Sequence, residues 1–327
     1  MSHMTYLEAS VVGLIQGVTE LFPVSSLGHN VLIPALIGGS WARDLNVAAP
    51  ESPYLAFIVG LHVATAIALV IYFWRDWLRL IGGFFSSIRD RRIETIDQKL
   101  AWMIILATVP VGIVGLVFEH EFRVIFGKPI RAAIFLVVNG LILYAGERFR
   151  TRKSLQADEE VAEEEELSAG RAAPGTAMHA SGQRAVRQLE VSRAVRSDER
   201  LTAVGYVQAV IIGSSQIFAL LAGISRDGVV MVTGMFGGLS RQDAARFSFL
   251  LATPVILAAG VLKVPDLTGP LGDGIRGQVL VGSILSGVGA YVSVRFLMRY
   301  FQTRTLTPFA IYCVVFGLGS IIYLNLK

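Results

Sequence analysis

The sequence predicts an all-α integral membrane protein made of two inverted-topology repeats, each a broken re-entrant helix hairpin followed by three transmembrane helices. Three observations lead there. The chain is apolar: its mean hydropathy is +0.58, and 17% of its 327 residues are charged, against about 25% in a soluble domain. Apolar runs that approach the ~20 residues needed to cross a ~30 Å hydrocarbon core recur along it. Ionisable residues also stand inside two apolar stretches, beside glycine, serine and proline, where a smooth helix would be interrupted.

The first element is the stretch from Gln16 to His29, QGVTELFPVSSLGH. Glu20 and His29 lie nine residues apart, separated by Pro23, Ser25, Ser26 and Gly28. An ionisable group at membrane depth costs roughly 2.5–3.5 kcal/mol on insertion scales, so it marks a function and faces a cavity or a partner. The proline and serines predict helix–break–helix, with the freed backbone groups lining a polar pocket. Spanning runs follow at Ala56–Trp74, Ala101–Phe118 and Pro129–Gly146.

Composition shifts between Thr151 and Arg200. Asp158, Glu159, Glu160 and the run Glu163 to Glu166 precede a Gly/Ala/Ser stretch with scattered arginines. Such a segment reads as a mobile, polar cytoplasmic linker, with one short helix near Ala185–Arg196. It separates a first membrane repeat, 1–150, from a second, 201–327. The second opens with a broken hairpin from Ala203 to Gly238, and runs follow at Phe247–Leu262, Gly277–Val294 and Thr305–Leu326.

The halves share short matches: Ser25-Ser26-Leu27-Gly28 with Ser225-Arg226-Asp227-Gly228, and Gly17-Val18-Thr19-Glu20 with Gly213-Ser214-Ser215-Gln216. A returning hairpin plus three crossings in each half gives the halves opposite orientation, a known transporter device. Thirteen Lys and Arg residues flank the predicted spans on the side of the 75–100 loop, the linker and the 295–304 loop, against seven on the other. By the positive-inside rule the first side is cytoplasmic, and the first hairpin opens outward.

Other features have plainer readings. The first apolar stretch lacks a basic leader and already carries Glu20, so no cleavable signal peptide is expected. Cys313, the only cysteine, reads as packing. His62 reads as hydrogen-bonded to a neighbouring helix, the alternative being a direct phosphate contact, and Glu119-His120-Glu121 as a solvated helix end rather than a metal-binding trio, since adjacent helical residues point in different directions. Trp41, Trp74, Trp77 and Trp102 fall near span ends, as interfacial anchors do. Gly13 and Gly17, and Gly234 and Gly238, have the spacing of close helix crossings.

The second polar cluster is Ala222-Gly223-Ile224-Ser225-Arg226-Asp227-Gly228. Arg226 and Asp227 form either an internal ion pair or an anion cradle, in which a guanidinium offers forked donors and helix N-termini add unpaired N–H groups. A carboxylate, an imidazole, serines, an arginine and glycine-rich turns at one depth suit phosphoryl transfer, which is mostly positioning and charge neutralisation. The acid can hold Mg2+ or Ca2+ or act as a base, and a hydroxyl or imidazole can be the nucleophile. Zinc-ligand spacing and a P-loop are both missing.

These two segments resemble the signatures of the undecaprenyl-diphosphate phosphatase family of the bacitracin-resistance type. That family carries Glu/Gln-x-x-x-Glu running into P-V/I-S-S-x-G-H, and later P-G-x-S-R-S-G/A. Here the first motif is Gln16…Glu20 and then Pro23-Val24-Ser25-Ser26-Leu27-Gly28-His29. The second survives as Gly223-Ile224-Ser225-Arg226, with Ala222 for its proline, Asp227 for its second serine and Val230 for a threonine. The order of spans and the stretch Phe247 to Thr253-Pro254 extend the resemblance over nearly the whole chain, although the linker is long for the family.

The resemblance implies an inner-membrane enzyme that hydrolyses undecaprenyl diphosphate, recycling a cell-wall lipid carrier and conferring bacitracin resistance. It implies a divalent cation, Mg2+ or Ca2+, and an active site reached from the outer face. Glu20 would be metal ligand or base, with Gln16 its companion, and Ser26 and His29 the two nucleophile candidates. Arg226 would clamp the diphosphate, Ser25 and Ser225 would hydrogen-bond its phosphates, and Gly28 and Gly223 would let backbone approach it. Asp227 would bind metal or quench Arg226. The partners expected are the polyprenyl diphosphate and membrane lipids, with no nucleic acid and the oligomeric state open. The alternative is a polyprenyl-phosphate flippase or transporter that uses the same repeats without cleaving a bond.

Overall fold

A computed structural model of the chain describes residues 4–46, 53–126, 128–171, 194–269 and 272–326, and these are helices joined by turns and short loops, with no strand among them. Six helices are long and apolar enough to cross a membrane: α4 (Pro53–Tyr72), α6 (Ile96–Phe126), α7 (Pro129–Arg148), α12 (Arg241–Thr268), α13 (Arg276–Thr303) and α14 (Thr307–Leu326). Each carries an apolar run marked in the sequence. Side chains such as Leu116, Val117, Leu280, Val288, Ile311 and Ile322 are exposed on their outer faces. Such rows belong against hydrocarbon, and the protein is a multi-pass membrane protein.

The apolar stretch that opens the second half is not one unbroken helix. It forms α10 (Tyr206–Ser214), tightens into a 3-10 helix over Ser215–Leu220, breaks, and returns as α11 (Arg226–Phe236). The first polar stretch does the same with α1 (Tyr6–Thr19) and α2 (Ser26–Ile37), and a short helix, α3 (Gly39–Asp44), follows. The expected break is therefore present in both halves.

Packing follows the small residues. α1 lies along α13, where a Cβ on Gly13 would come within 2.5 Å of the Gly282 carbonyl oxygen and one on Gly17 would strike Ser286. α10 lies on α6 through Gly213, against the Ala107 backbone. α7 and α14 pack through Gly140 against Ala310 and Gly317 against Ala133. Lipid tails give helices no hydrophobic drive to associate, so this close approach supplies dispersion contacts instead. Exchanging α1 with α10, α6 with α13 and α7 with α14 maps these pairings onto one another. α4 packs on both α12 and α13, with Phe57 and Leu61 against Gly282, and Phe57, Leu61, Phe247, Phe249 and Ala252 are buried.

Three expectations are corrected. The 75–100 loop contains a helix, α5 (Trp74–Asp90), which buries Leu80, Gly83 and Ser87 and exposes Trp74, Leu78, Ile81, Phe85 and Ile88. Its alternation of apolar and charged residues at helical spacing suits a membrane surface. The acidic segment forms a helix, α8 (Arg152–Arg171), within the stretch expected to lack fixed structure. Its register turns Asp158 toward Arg150 and Arg241 and Glu164 toward Arg196 and Arg200, while Ala157 and Val161 are buried. The helix borrows partners from the membrane domain, which composition alone does not reveal. Gly238 lies beyond the end of α11 with φ +97, in a turn rather than on a crossing face with Gly234.

Most of the short helix expected at Ala185–Arg196 lies outside the described residues; the chain is helical again over α9 (Ala194–Ala203). The side chains of Glu119, His120 and Glu121 also lie outside the description, and the backbone there continues α6.

Candidate active site

Each hairpin is broken by its own chemistry. α1 ends at Thr19, and Glu20 caps it by donating its N–H to the Gln16 carbonyl at 2.9 Å. Pro23 has no N–H to continue a helix. Ser25 then takes φ 66, and its hydroxyl oxygen accepts the Gly28 N–H at 3.2 Å, starting α2 at Ser26. In the second half Gly223 takes φ 111, which a residue without Cβ adopts freely. The Ser225 hydroxyl accepts the Gly228 N–H at 3.1 Å, starting α11 at Arg226. The aligned tetrapeptides thus fold as matching N-caps. Ser26 and Arg226 each occupy the first position of a helix, where unpaired N–H groups and the positive end of the helix dipole favour an anion.

The two turns touch. A Cβ on Gly28 would lie 3.0 Å from the Gly223 Cα, and the Ser25 hydroxyl also accepts the Gly223 N–H at 3.2 Å. Asn139, fully buried on α7, ties both: its amide donates to the Pro23 carbonyl at 3.0 Å, and its oxygen accepts the Ser225 N–H at 2.9 Å.

Where they meet, four donor groups surround the buried Glu20 carboxylate. Oε2 accepts from Gln16 Nε2 at 2.7 Å and from the Ser26 hydroxyl, and it lies 3.3 Å from His62 Nε2. Oε1 accepts from Arg226 Nη2 at 2.9 Å. Gln16 is itself oriented by Asn30, whose amide donates to Gln16 Oε1 at 2.6 Å. His62 is fixed on α4 by Nδ1, 2.9 Å from the Ile58 carbonyl. Both ring nitrogens thus face acceptors, which suits a ring that donates from both sides.

The remaining expected residues lie around this junction. His29 is buried with Nδ1 on the Ser25 carbonyl at 2.8 Å and Nε2 on the Tyr312 hydroxyl at 2.7 Å, its ring stacked with Tyr312 and Phe316. It therefore faces α14 and makes no hydrogen bond to Glu20. Asp227 Oδ1 accepts from the Ser248 hydroxyl at 2.7 Å and lies 3.5 Å from Arg226 Nε, whereas its buried Oδ2 has no hydrogen-bond partner. Ser25 and Ser225 spend their hydroxyl oxygens on helix caps. Cys313 is buried, 3.4 Å from the Asn139 amide, as packing predicts.

A Mg2+ or Ca2+ ion on Glu20 would have to displace the donors that now surround the carboxylate. Such ions take about six oxygen ligands. Here both carboxylate oxygens already face donors, one of them a guanidinium, and no three His, Cys, Asp or Glu side chains converge among the described residues.

Sequence reasoning missed Asn139, Asn30, Ser248 and Tyr312, and it placed His62 against a neighbour without identifying that neighbour as Glu20. The signal for Asn139 was present: a lone amide in an apolar span is expected to bond across helices.

The model of the family described as bacitracin resistance protein BacA matches residues 9–319. An undecaprenyl-diphosphatase of Mycolicibacterium paratuberculosis is 57% identical over 326 residues, covering 100% of this chain and 99% of its own length. One from Mycobacterium avium is 56% identical over the same coverage. An undecaprenyl-diphosphatase 2 of Frankia alni is 55% identical, covering 97% of each chain. With both motifs carried on two touching hairpins, and a match running from α1 into α14, the chain belongs to the bacitracin resistance protein BacA family.

Proposed function

We propose that this protein hydrolyses undecaprenyl diphosphate to undecaprenyl phosphate and inorganic phosphate in the bacterial inner membrane, recycling the carrier and conferring bacitracin resistance. Its membership of the family and the names of its relatives support this reading. The observation that carries the chemistry is the junction of Ser26, Glu20 and Arg226, contributed by two hairpins from opposite halves.

Arg226 holds the diphosphate by forked hydrogen bonds and neutralises the charge on the oxygens around the terminal phosphorus. Ser26 attacks that phosphorus and passes its proton to Glu20, to which its hydroxyl already points. The bond from phosphorus to the bridging oxygen breaks, and the polyprenyl phosphate leaves. Water then attacks the phosphoserine, the proton held on Glu20 returns to the Ser26 oxygen as its bond to phosphorus breaks, and inorganic phosphate departs with the oxygen and protons of the water. Of the two nucleophile candidates Ser26 is preferred, because both His29 nitrogens are engaged elsewhere.

The two halves, 1–150 and 201–327, are read as inverted repeats joined by 151–200, with the site opening to the outer face. The matching caps and exchanged helix pairings support the repeat, and the excess of Lys and Arg supports the orientation. In this reading a divalent cation, Mg2+ or Ca2+, arrives on the phosphates of the substrate. EDTA then lowers phosphate release without lowering the melting temperature of the protein.

The test is phosphate release by the purified protein from undecaprenyl diphosphate or farnesyl diphosphate in detergent with Mg2+ or Ca2+. Turnover to the monophosphate supports the reading. Binding of the lipid without bond cleavage would instead assign a flippase or transporter.

A further inference from the structure

The Glu20 carboxylate sits where an anion would sit. Arg226 comes from α11, His62 from α4, Ser26 from the start of α2 and Gln16 from α1, and all four direct donors at that one group. A phosphate oxygen asks for the same environment, namely several N–H and O–H donors, a guanidinium and helix N-termini. His62 is on the opposite side of the carboxylate group from Arg226 in bonding terms: it approaches Oε2, whereas Arg226 binds Oε1. Its side chain is 27% exposed, against 4% for Glu20, so it is the more accessible of the two.

We infer that His62 is a substrate-binding residue of this site, forming with Arg226 a two-sided clamp for the terminal phosphate, and that the Glu20 carboxylate holds the clamp closed until diphosphate displaces it. The inference rests on the phosphatase reading for the same site. The carboxylate brings one negative charge and a diphosphate brings more, so the exchange favours substrate. Displacement turns Glu20 away from Arg226 and leaves it with Ser26, whose proton it then accepts. The resting contact therefore keeps the Arg226 cation paired inside the membrane and keeps the base in place for its later task.

The experiment measures binding of inorganic pyrophosphate, and KM and kcat for farnesyl diphosphate, in purified wild type, Glu20→Gln, His62→Ala and His62→Gln. Monodisperse elution in detergent confirms that each is folded. Glu20→Gln is expected to lose turnover yet bind pyrophosphate about tenfold more tightly, since the competing charge is gone. His62→Ala is expected to weaken pyrophosphate binding and raise KM about tenfold, with a smaller change in kcat, as for the loss of one hydrogen bond to a charged group. His62→Gln, which retains an N–H donor, recovers most of both. Three results would each overturn the inference: Glu20→Gln binding no tighter than wild type, His62→Ala leaving both constants unmoved, or His62→Gln faring no better than alanine. Wild type that binds pyrophosphate but releases no phosphate from farnesyl diphosphate would refute the phosphatase reading instead, while the binding data still decide the clamp.

Discussion

Replacing Asn139 with leucine tests how the two hairpins are held together. The side chain is fully buried on α7 and satisfies one backbone group in each turn, the Pro23 carbonyl at 3.0 Å and the Ser225 N–H at 2.9 Å. Leucine is close in volume, so little cavity forms, but both backbone groups lose their partner. A buried group left unsatisfied costs about 1–3 kcal/mol, or about 2–6 kcal/mol for the pair. Hydrogen bonds between membrane helices average nearer 0.6 kcal/mol, which places the expected loss at the lower end, about 2 kcal/mol. At about 2–4 °C per kcal/mol, the melting temperature falls by about 5 °C. The assay is thermal unfolding in detergent, followed by size-exclusion chromatography, with phosphate release measured well below the transition. Turnover falls along with stability, because Ser225 caps the helix that starts with Arg226. An Asn139→Leu protein that melts within about 1 °C of wild type and retains full turnover would refute the claim that this amide locks the site.

Further predictions concern individual groups. Ser26→Ala abolishes turnover while lipid binding persists, whereas His29→Gln retains turnover and melts lower, since His29 bridges to Tyr312; phosphate release and melting curves for the pair decide between the two nucleophiles. Asp227→Ser lowers KM about threefold by removing a carboxylate 3.5 Å from Arg226 Nε, a modest gain because Glu20 still pairs with the guanidinium; steady-state kinetics read it. Gly223→Ala reduces both folded yield and turnover, because φ 111 disfavours a Cβ and the new methyl group would strike the Ala132 carbonyl.

Much of this was legible in the sequence because the membrane makes polar residues conspicuous. Glu20, Arg226 and the broken segments around them stand out against an apolar background, and the paired tetrapeptides ending in Gly28 and Gly228 fold as matching caps. What remained hidden depended on distant partners. His29 shares a motif with Glu20, but its direction is decided by Tyr312, which lies 283 residues away. His62 carries no motif, and only the packing of α4 against α1 brings it to Glu20. The acidic run looked solvated because its charges were counted without the arginines that α8 finds on α9 and α12. Composition measures what a segment lacks, and here the missing partners came from elsewhere in the fold.

The central claim is that the two halves meet in one reaction centre, and phosphate release by Glu20→Ala and Arg226→Ala beside wild type tests it most directly. One residue closes α1 and the other opens α11, 206 positions apart, yet their side chains are 2.9 Å from one another. With farnesyl diphosphate as substrate and both variants eluting as folded protein, each should lose release almost completely. Undiminished release from either variant would contradict it.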